Sequence, residues 1–170
     1  MLSDSLLPTP PSITSLEQKI TKLLTQASTS SIGDKEAEIL LILDHPSLLL
    51  STTPSITSTA LSTLLLTLRS YPSVHSTLLA LPADGPYLSA AHPDTVNTNP
   101  TPIESESAAF AVQQAHNARS VLSVRELGTG AARDVSGVLR VTRGGKSDGE
   151  VKEWEGLYLV GRDGGVKIVE

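Results

Sequence analysis

The chain has 170 residues, with 13 Lys and Arg against 18 Asp and Glu, a formal net charge of −5, and no cysteine. That length is about one domain, large enough to bury an ordinary core without covalent staples. The missing cysteine excludes a disulfide framework, a thiolate nucleophile and any Cys-based zinc or iron–sulfur site, and the acidic balance argues against a whole-chain polyanion binder while leaving room for a local basic patch.

The segment Met1 to Pro11 has Asp4 where a signal peptide carries positive charge, and Pro8, Pro10 and Pro11 break its apolar character. The longest apolar run, Ile39 to Leu43, is about a quarter of a membrane span. A soluble intracellular protein is the expectation. Residue types also divide the chain. All 11 prolines lie at or before Pro102, and most of the 12 glycines lie at or after Gly128. The first part should be acidic and punctuated by turns, and the last fifty or so residues a glycine-jointed set of strands.

In chain order, residues 1–14 read as a disordered, proline-broken tail, and 15–170 as a single domain. A helix begins with Ser15 as cap and carries Leu16, Ile20, Leu23 and Leu24 on one stripe. The Ser/Thr-rich run from Thr25 to Asp34 reads as a loop. The continuously apolar run from Ile39 to Leu43, closed by Asp44, suggests a strand covered on both faces, as in the centre of an α/β sheet. Ser47 to Leu50 either extends that strand or begins a short helix.

Ile56, Ala60, Leu61, Leu64, Leu65 and Leu68 are spaced as one helix face over Ser55 to Ser70, and Tyr71-Pro72 ends it. Ser73 to Leu81 is a second apolar strand. Residues 82–106 are proline-rich and aperiodic, so they predict a flexible loop. A helix follows over Ser107 to Arg119, with Ala108, Phe110, Ala111, Val112 and Ala115 available for packing. Strands are expected at Ser120 to Leu127, Val135 to Thr142, Glu153 to Val160 and Val166 to Val169. Arg162-Asp163-Gly164-Gly165 supplies the last turn, because Asp-Gly and Gly-Gly tolerate positive φ. The alternation followed by hairpins predicts an α/β sheet with an antiparallel extension.

Gly144-Gly145-Lys146-Ser147 contains the Gly-Lys-Ser of a phosphate-binding loop. The full pattern needs a glycine five residues before Gly145, where Arg140 stands, and it needs a strand leading into a helix. A turn between strands is the better reading. Asp44 ends an apolar strand where a nucleotide hydrolase holds its magnesium-linked carboxylate, yet acids often end such strands as turn residues. His45, His75, His92 and His116 are scattered with no pair at metal spacing, and no Gly-x-Ser-x-Gly is present. Arg133, Arg140, Arg143 and Lys146 form the basic concentration. The odd separation of Arg140 and Arg143 puts them on opposite faces of a straight strand. They suit a phosphate backbone or ordinary solvated positions.

One stretch is more specific: Leu127-Gly-Thr-Gly-Ala-Ala-Arg-Asp-Val-Ser-Gly-Val-Leu-Arg-Val-Thr-Arg-Gly-Gly145, then Glu155-Gly-Leu-Tyr-Leu-Val-Gly-Arg-Asp-Gly-Gly-Val-Lys-Ile-Val169. It resembles the C-terminal half of the Elongator complex protein six family. Upstream, Ile42-Leu-Asp-His-Pro-Ser-Leu-Leu-Leu50, Leu68-Arg69, Val74-His75-Ser76 and Ala83-Asp84 look like that family's strand, helix and strand in the same order. The resemblance spans about Glu36 to Val169.

The resemblance implies a P-loop-less, RecA-like domain without a working nucleotide site, with Asp44 as its degenerate acidic strand end. It implies a hetero-hexameric ring with Elongator proteins four and five, contact with the rest of the Elongator complex and with tRNA, and support of carboxymethyl-type wobble-uridine modification. The expected location is the cytoplasm, with the nucleus beside it. On this reading the chain needs no catalytic residue, cofactor or metal of its own, and Arg133, Arg140, Arg143 and Lys146 are the expected RNA or subunit contacts. Family members usually have a further N-terminal portion. Roughly 35 residues precede the Asp44 strand here, so either the gene model lacks an exon or the N-terminal part is shortened, and a shortened chain is expected to have one sheet edge covered by a partner. Two rivals are a small α+β hydrolase or isomerase with an open pocket, and a RecA-type recombination ATPase.

Overall fold

The computed structural model describes residues 12–29, 38–91, 99–128 and 134–169. They fall into two compact units, Met1–Val112 and Gln113–Glu170. No helix among the described residues is long and apolar enough to cross a membrane.

The first unit begins with α1 (Ile13–Thr29). Its cap is Ser12, not Ser15: the Ser12 hydroxyl accepts the Ser15 backbone N–H at 3.2 Å. Ile13, Leu16 and Ile20 pack beside the buried Leu24, while Leu23 points away and is 62% exposed. The helix runs through Thr25–Thr29, part of the expected loop. Thr25, Ser28 and Thr29 hydroxyls donate to carbonyls three or four residues back, which lets Ser and Thr sit in the last helical turns.

β1 (Ile39–Asp44) pairs in parallel with β2 (Val74–Ala80), and together they form a two-stranded sheet. Ile39, Leu41 and Leu43 pack on the core, but Leu40 and Ile42 are 54% and 60% exposed. The expectation of a strand covered on both faces therefore fails. The periodicity of an apolar run cannot say how many layers will be laid on it. Between the strands, Leu48–Thr52 takes the helical alternative as α2, and α3 (Ser58–Arg69) follows.

Thr57 caps α3 by accepting the Ala60 N–H at 3.2 Å. Leu61, Leu64, Leu65 and Leu68 are buried at the predicted helical spacing, against Leu24, Leu50, Ile56 and the single Phe, Phe110, which is fully buried. The Tyr71 and Thr25 hydroxyls meet at 2.6 Å and tie the end of α3 to α1.

The described residues of the expected loop, 82–106, include helical turns, and residues 92–98 lie outside the described residues. A short helix α4 (Gly85–Leu88) and a 3-10 turn (Ser89–Ala91) lie inside it, and α5 (Pro102–Asn117) starts before it ends. Pro102 takes the first helical position, where its missing N–H costs nothing. Thr101 and Glu104 then form a capping box: Glu104 accepts the Thr101 N–H at 2.7 Å, and the Thr101 hydroxyl accepts the Glu104 N–H at 3.3 Å. Proline content masked this helix start. Along α5, Ala108 and Phe110 are buried but Val112 is exposed.

The second unit is a four-stranded antiparallel sheet in the order β3 (Ser120–Arg125), β4 (Gly137–Arg143), β5 (Trp154–Val160), β6 (Val166–Val169). Gly164, at φ of 80°, turns β5 into β6 as its sequence required. The α/β expectation thus holds at the level of mixed helix and sheet. The antiparallel strands make their own sheet, separate from the parallel pair.

Register assigns the sheet's two faces. Leu122 and Val124 share a face with Leu139, Val141, Trp154, Tyr158, Val160, Val166 and Ile168. A Cβ on Gly156 would strike the Trp154 indole, and one on Gly137 would strike the Tyr158 ring and the Arg125 carbonyl. Both aromatic rings therefore lie across glycines. The other face mixes buried Val138 with Ser123, Arg125, Arg140, Glu155 and Lys167.

Candidate functional site

Two places carry the residues that the sequence singles out, one in each unit. In the first unit, Asp44 ends β1 on the sheet face that it shares with exposed Leu40 and Ile42. The next residue, His45, has φ of 49°, the one non-glycine positive φ among the described residues. Its N–H donates to the Ala80 carbonyl at 3.0 Å and carries the ladder one step past the end of β1. The Leu48 N–H in turn donates to the His45 carbonyl at 3.1 Å, so the chain reverses sharply into α2. Such a left-handed residue costs about 1 kcal/mol or more and persists where its surroundings fix it. The C-terminal end of a parallel strand is where α/β sheets place ligand-binding loops.

Among the described residues no group of three His, Asp or Glu side chains stands close enough to hold a metal ion. Asp44 and His45 are thus neighbours in a turn with no third ligand beside them. His75 lies on β2, and His116 lies in the last turn of α5. His92 lies outside the described residues.

The Gly144-Gly145-Lys146-Ser147 segment joins β4 to β5, as expected of a turn. Its backbone is already committed. The Gly144 N–H donates to the Arg119 carbonyl at 3.0 Å, the Lys146 N–H to Ala118 at 3.2 Å, and the Gly145 N–H to Ala115 at 3.5 Å. These amides satisfy carbonyls at and just beyond the C-terminus of α5, the reverse of a phosphate cradle, whose amides face an anion. Gly144 is buried there, and a Cβ on it would overlap the Ala118 carbonyl.

The basic residues are not gathered into one patch. Arg140 lies on the mixed face, where its Nε is 3.7 Å from Glu155, which also meets Arg125 at 3.3 Å. All three side chains are about half exposed, so this cross-strand cluster orders the face more than it stabilises it. Arg143 is on the opposite, apolar face, as the odd spacing required. Its N–H donates to Glu153 at 3.0 Å, and its guanidinium has no ion pair among the described residues. Lys146 is exposed in the turn. Arg133 lies outside the described residues.

Sequence reasoning missed the partners of Arg140. Arg125 and Glu155 are distant in sequence and meet it only through strand register, which nothing local reveals. It also missed Glu106, whose carboxylate accepts the Ser58 N–H at the start of α3. That backbone hydrogen bond, then the Ser58 side chain, pulls the Glu106 carboxyl below its ordinary range. Thr101 does the same to Glu104, through its N–H first and its hydroxyl second.

No family model matches this chain, and no curated protein matches it.

Proposed function

We propose that the chain is a non-catalytic, RecA-like subunit of the Elongator complex, which joins Elongator proteins four and five in a hetero-hexameric ring that binds tRNA and supports wobble-uridine modification. The observation that carries this reading is where the resembling motifs fall. Asp134-Val-Ser-Gly137 leads into β4, Thr142-Arg-Gly144 leaves it, and Gly165-Val-Lys167 opens β6. Motifs at strand entries and exits are the ones a fold needs for register and turns. Their order after the strand–helix–strand unit whose first strand ends in Asp44 is the order in the family that the sequence resembles.

The reading is also supported by the fate of Gly144 to Ser147. The N–H groups of Gly144, Gly145 and Lys146 donate to carbonyls at and just beyond the end of α5, and that of Ser147 to Gly144, so this segment offers no phosphate cradle, which weighs against the recombination-ATPase alternative. On the proposed reading Arg143 and Lys146, free of ion pairs among the described residues, are better placed than Arg140 to meet a phosphate or a partner carboxylate. Arg140 first has to leave Glu155.

The test is affinity capture of the tagged chain from its native cell. Co-recovery of Elongator proteins four and five, with retention of tRNA, is the expected result; their absence removes the reading. Within a recovered complex, Arg143→Ala with Lys146→Ala should reduce tRNA retention or ring assembly more than Arg140→Ala does.

A further inference from the structure

The antiparallel sheet has two free edges among the described residues, and they are built differently. β6 is four residues long and carries Lys167, both of which discourage pairing with another strand. β3 is six residues long, reads Ser-Val-Leu-Ser-Val-Arg, and has no proline or lysine. Its register with β4 runs without a bulge. Leu122 and Val124 on it are 65% and 64% exposed, the two highest values among the large hydrophobics. An edge of this kind is a template for another strand.

The outward-facing groups of β3 follow from its inner ladder. The Arg119 carbonyl accepts the Gly144 N–H, so the main-chain groups of Arg119, Val121, Ser123 and Arg125 face β4. Those of Leu122 and Val124 face outward. We propose that β3 pairs antiparallel with β3 of a second copy, about a two-fold axis at Ser123, and so joins two four-stranded sheets into one.

The occupant is a second copy because the strand complements itself in that register. With Ser123 facing Ser123 of the other copy, Leu122 faces Val124 in both directions. Those are the residues whose N–H and C=O groups point outward, so each such pair exchanges two backbone hydrogen bonds. The same register puts Leu122 against Val124 on the apolar face, closing the most exposed part of that face. Val121 then lies opposite Arg125 on the other face, and no like charges are brought opposite one another. A nucleic acid would need a basic groove, and this face has Arg143 alone at its end. The pairing is isologous, so it closes at two copies. It does not depend on the ring reading.

The chain contains no cysteine, which makes the test clean. At the axis the two Ser123 residues form a pair without mutual hydrogen bonds, about 4.5 Å apart at Cα, within disulfide reach. Ser120→Cys on the same strand would sit about 20 Å from its counterpart. Under mild oxidation the full chain with Ser123→Cys should convert to a covalent dimer, and the Ser120→Cys chain should form no covalent dimer. Leu122→Lys, a change at an exposed side chain, should leave the thermal unfolding midpoint unchanged and weaken dimerisation about tenfold or more in sedimentation equilibrium. A wild-type chain that stays monomeric up to about 100 μM, roughly −5.5 kcal/mol of association, overturns the proposal. So does equal cross-linking of the Ser120→Cys and Ser123→Cys chains, or a dimer indifferent to Leu122→Lys; capture of a different partner's strand or an RNA by β3, with no self-association, overturns it too.

Discussion

The two units of this protein are held together by different physics. In the first, helices α1, α3 and α5 lay Leu24, Leu61, Leu64, Leu65, Leu68 and Phe110 into one buried cluster, and the two strands supply one more layer. In the second, Val138 is the buried hydrophobic side chain among those described, and most apolar residues of β3, β5 and β6 remain partly exposed. Side-chain packing dominates the first unit, and the hydrogen-bonded ladder with its turns dominates the second. The comparison teaches that similar apolar content gives different stability logic when helices are not available to cover a sheet face.

The largest expected break in that contrast is Phe110→Ala. It should cost about 3–5 kcal/mol by denaturant unfolding, with hydrogen-exchange protection falling first in α3 and β1. An equal early loss in β4 and β5 would show that the two units unfold as one body. Next comes Gly144→Ala, which probes the second unit through its backbone: the added Cβ overlaps the Ala118 carbonyl, and the cost should be about 1–3 kcal/mol. Exchange protection should drop where β4 meets the end of α5.

A smaller effect is expected at Thr57→Ala, which removes the α3 cap at about 1 kcal/mol, read as a shift in denaturation midpoint with unchanged slope. The smallest is pH-dependent. Glu106 and Glu104 have folded carboxyl values below their unfolded ones. Their contribution is therefore complete above the unfolded value, about pH 4.3, and is lost as pH falls through the lower folded values. Glu106→Gln should be less stable than wild type at neutral pH, and the gap should close in acid. A gap that widens in acid would contradict the hydrogen bond to Ser58.

Much of the fold was legible from local pattern. The buried face of α3 follows the spacing of its leucines, β1 and β2 lie where the apolar runs stand, and Asp163-Gly164 makes its turn. The misses have physical causes. Pro102 looked like a loop residue because the rule against proline in helices fails at the first helical turn. Leu40 and Ile42 looked buried because a run apolar at every position reports hydrophobicity on both faces without reporting coverage. Of the candidate site, the separation of Arg140 from Arg143 was legible in the odd spacing alone. The Arg125–Glu155–Arg140 cluster was not, since register between strands is a tertiary property.

By itself, the sequence determined the type of most elements, the absence of thiol chemistry and of a phosphate-loop pattern, and a basic concentration confined to the strand-rich end. Each of these depends on residue identity or on spacing along the chain. Tertiary structure decided which apolar faces are covered, which arginines are tied to a carboxylate, and that the Gly144, Gly145 and Lys146 amides turn to the end of a helix. Those depend on what lies across a strand or beyond a turn, and backbone pairing brings such groups together across intervals that no local pattern records.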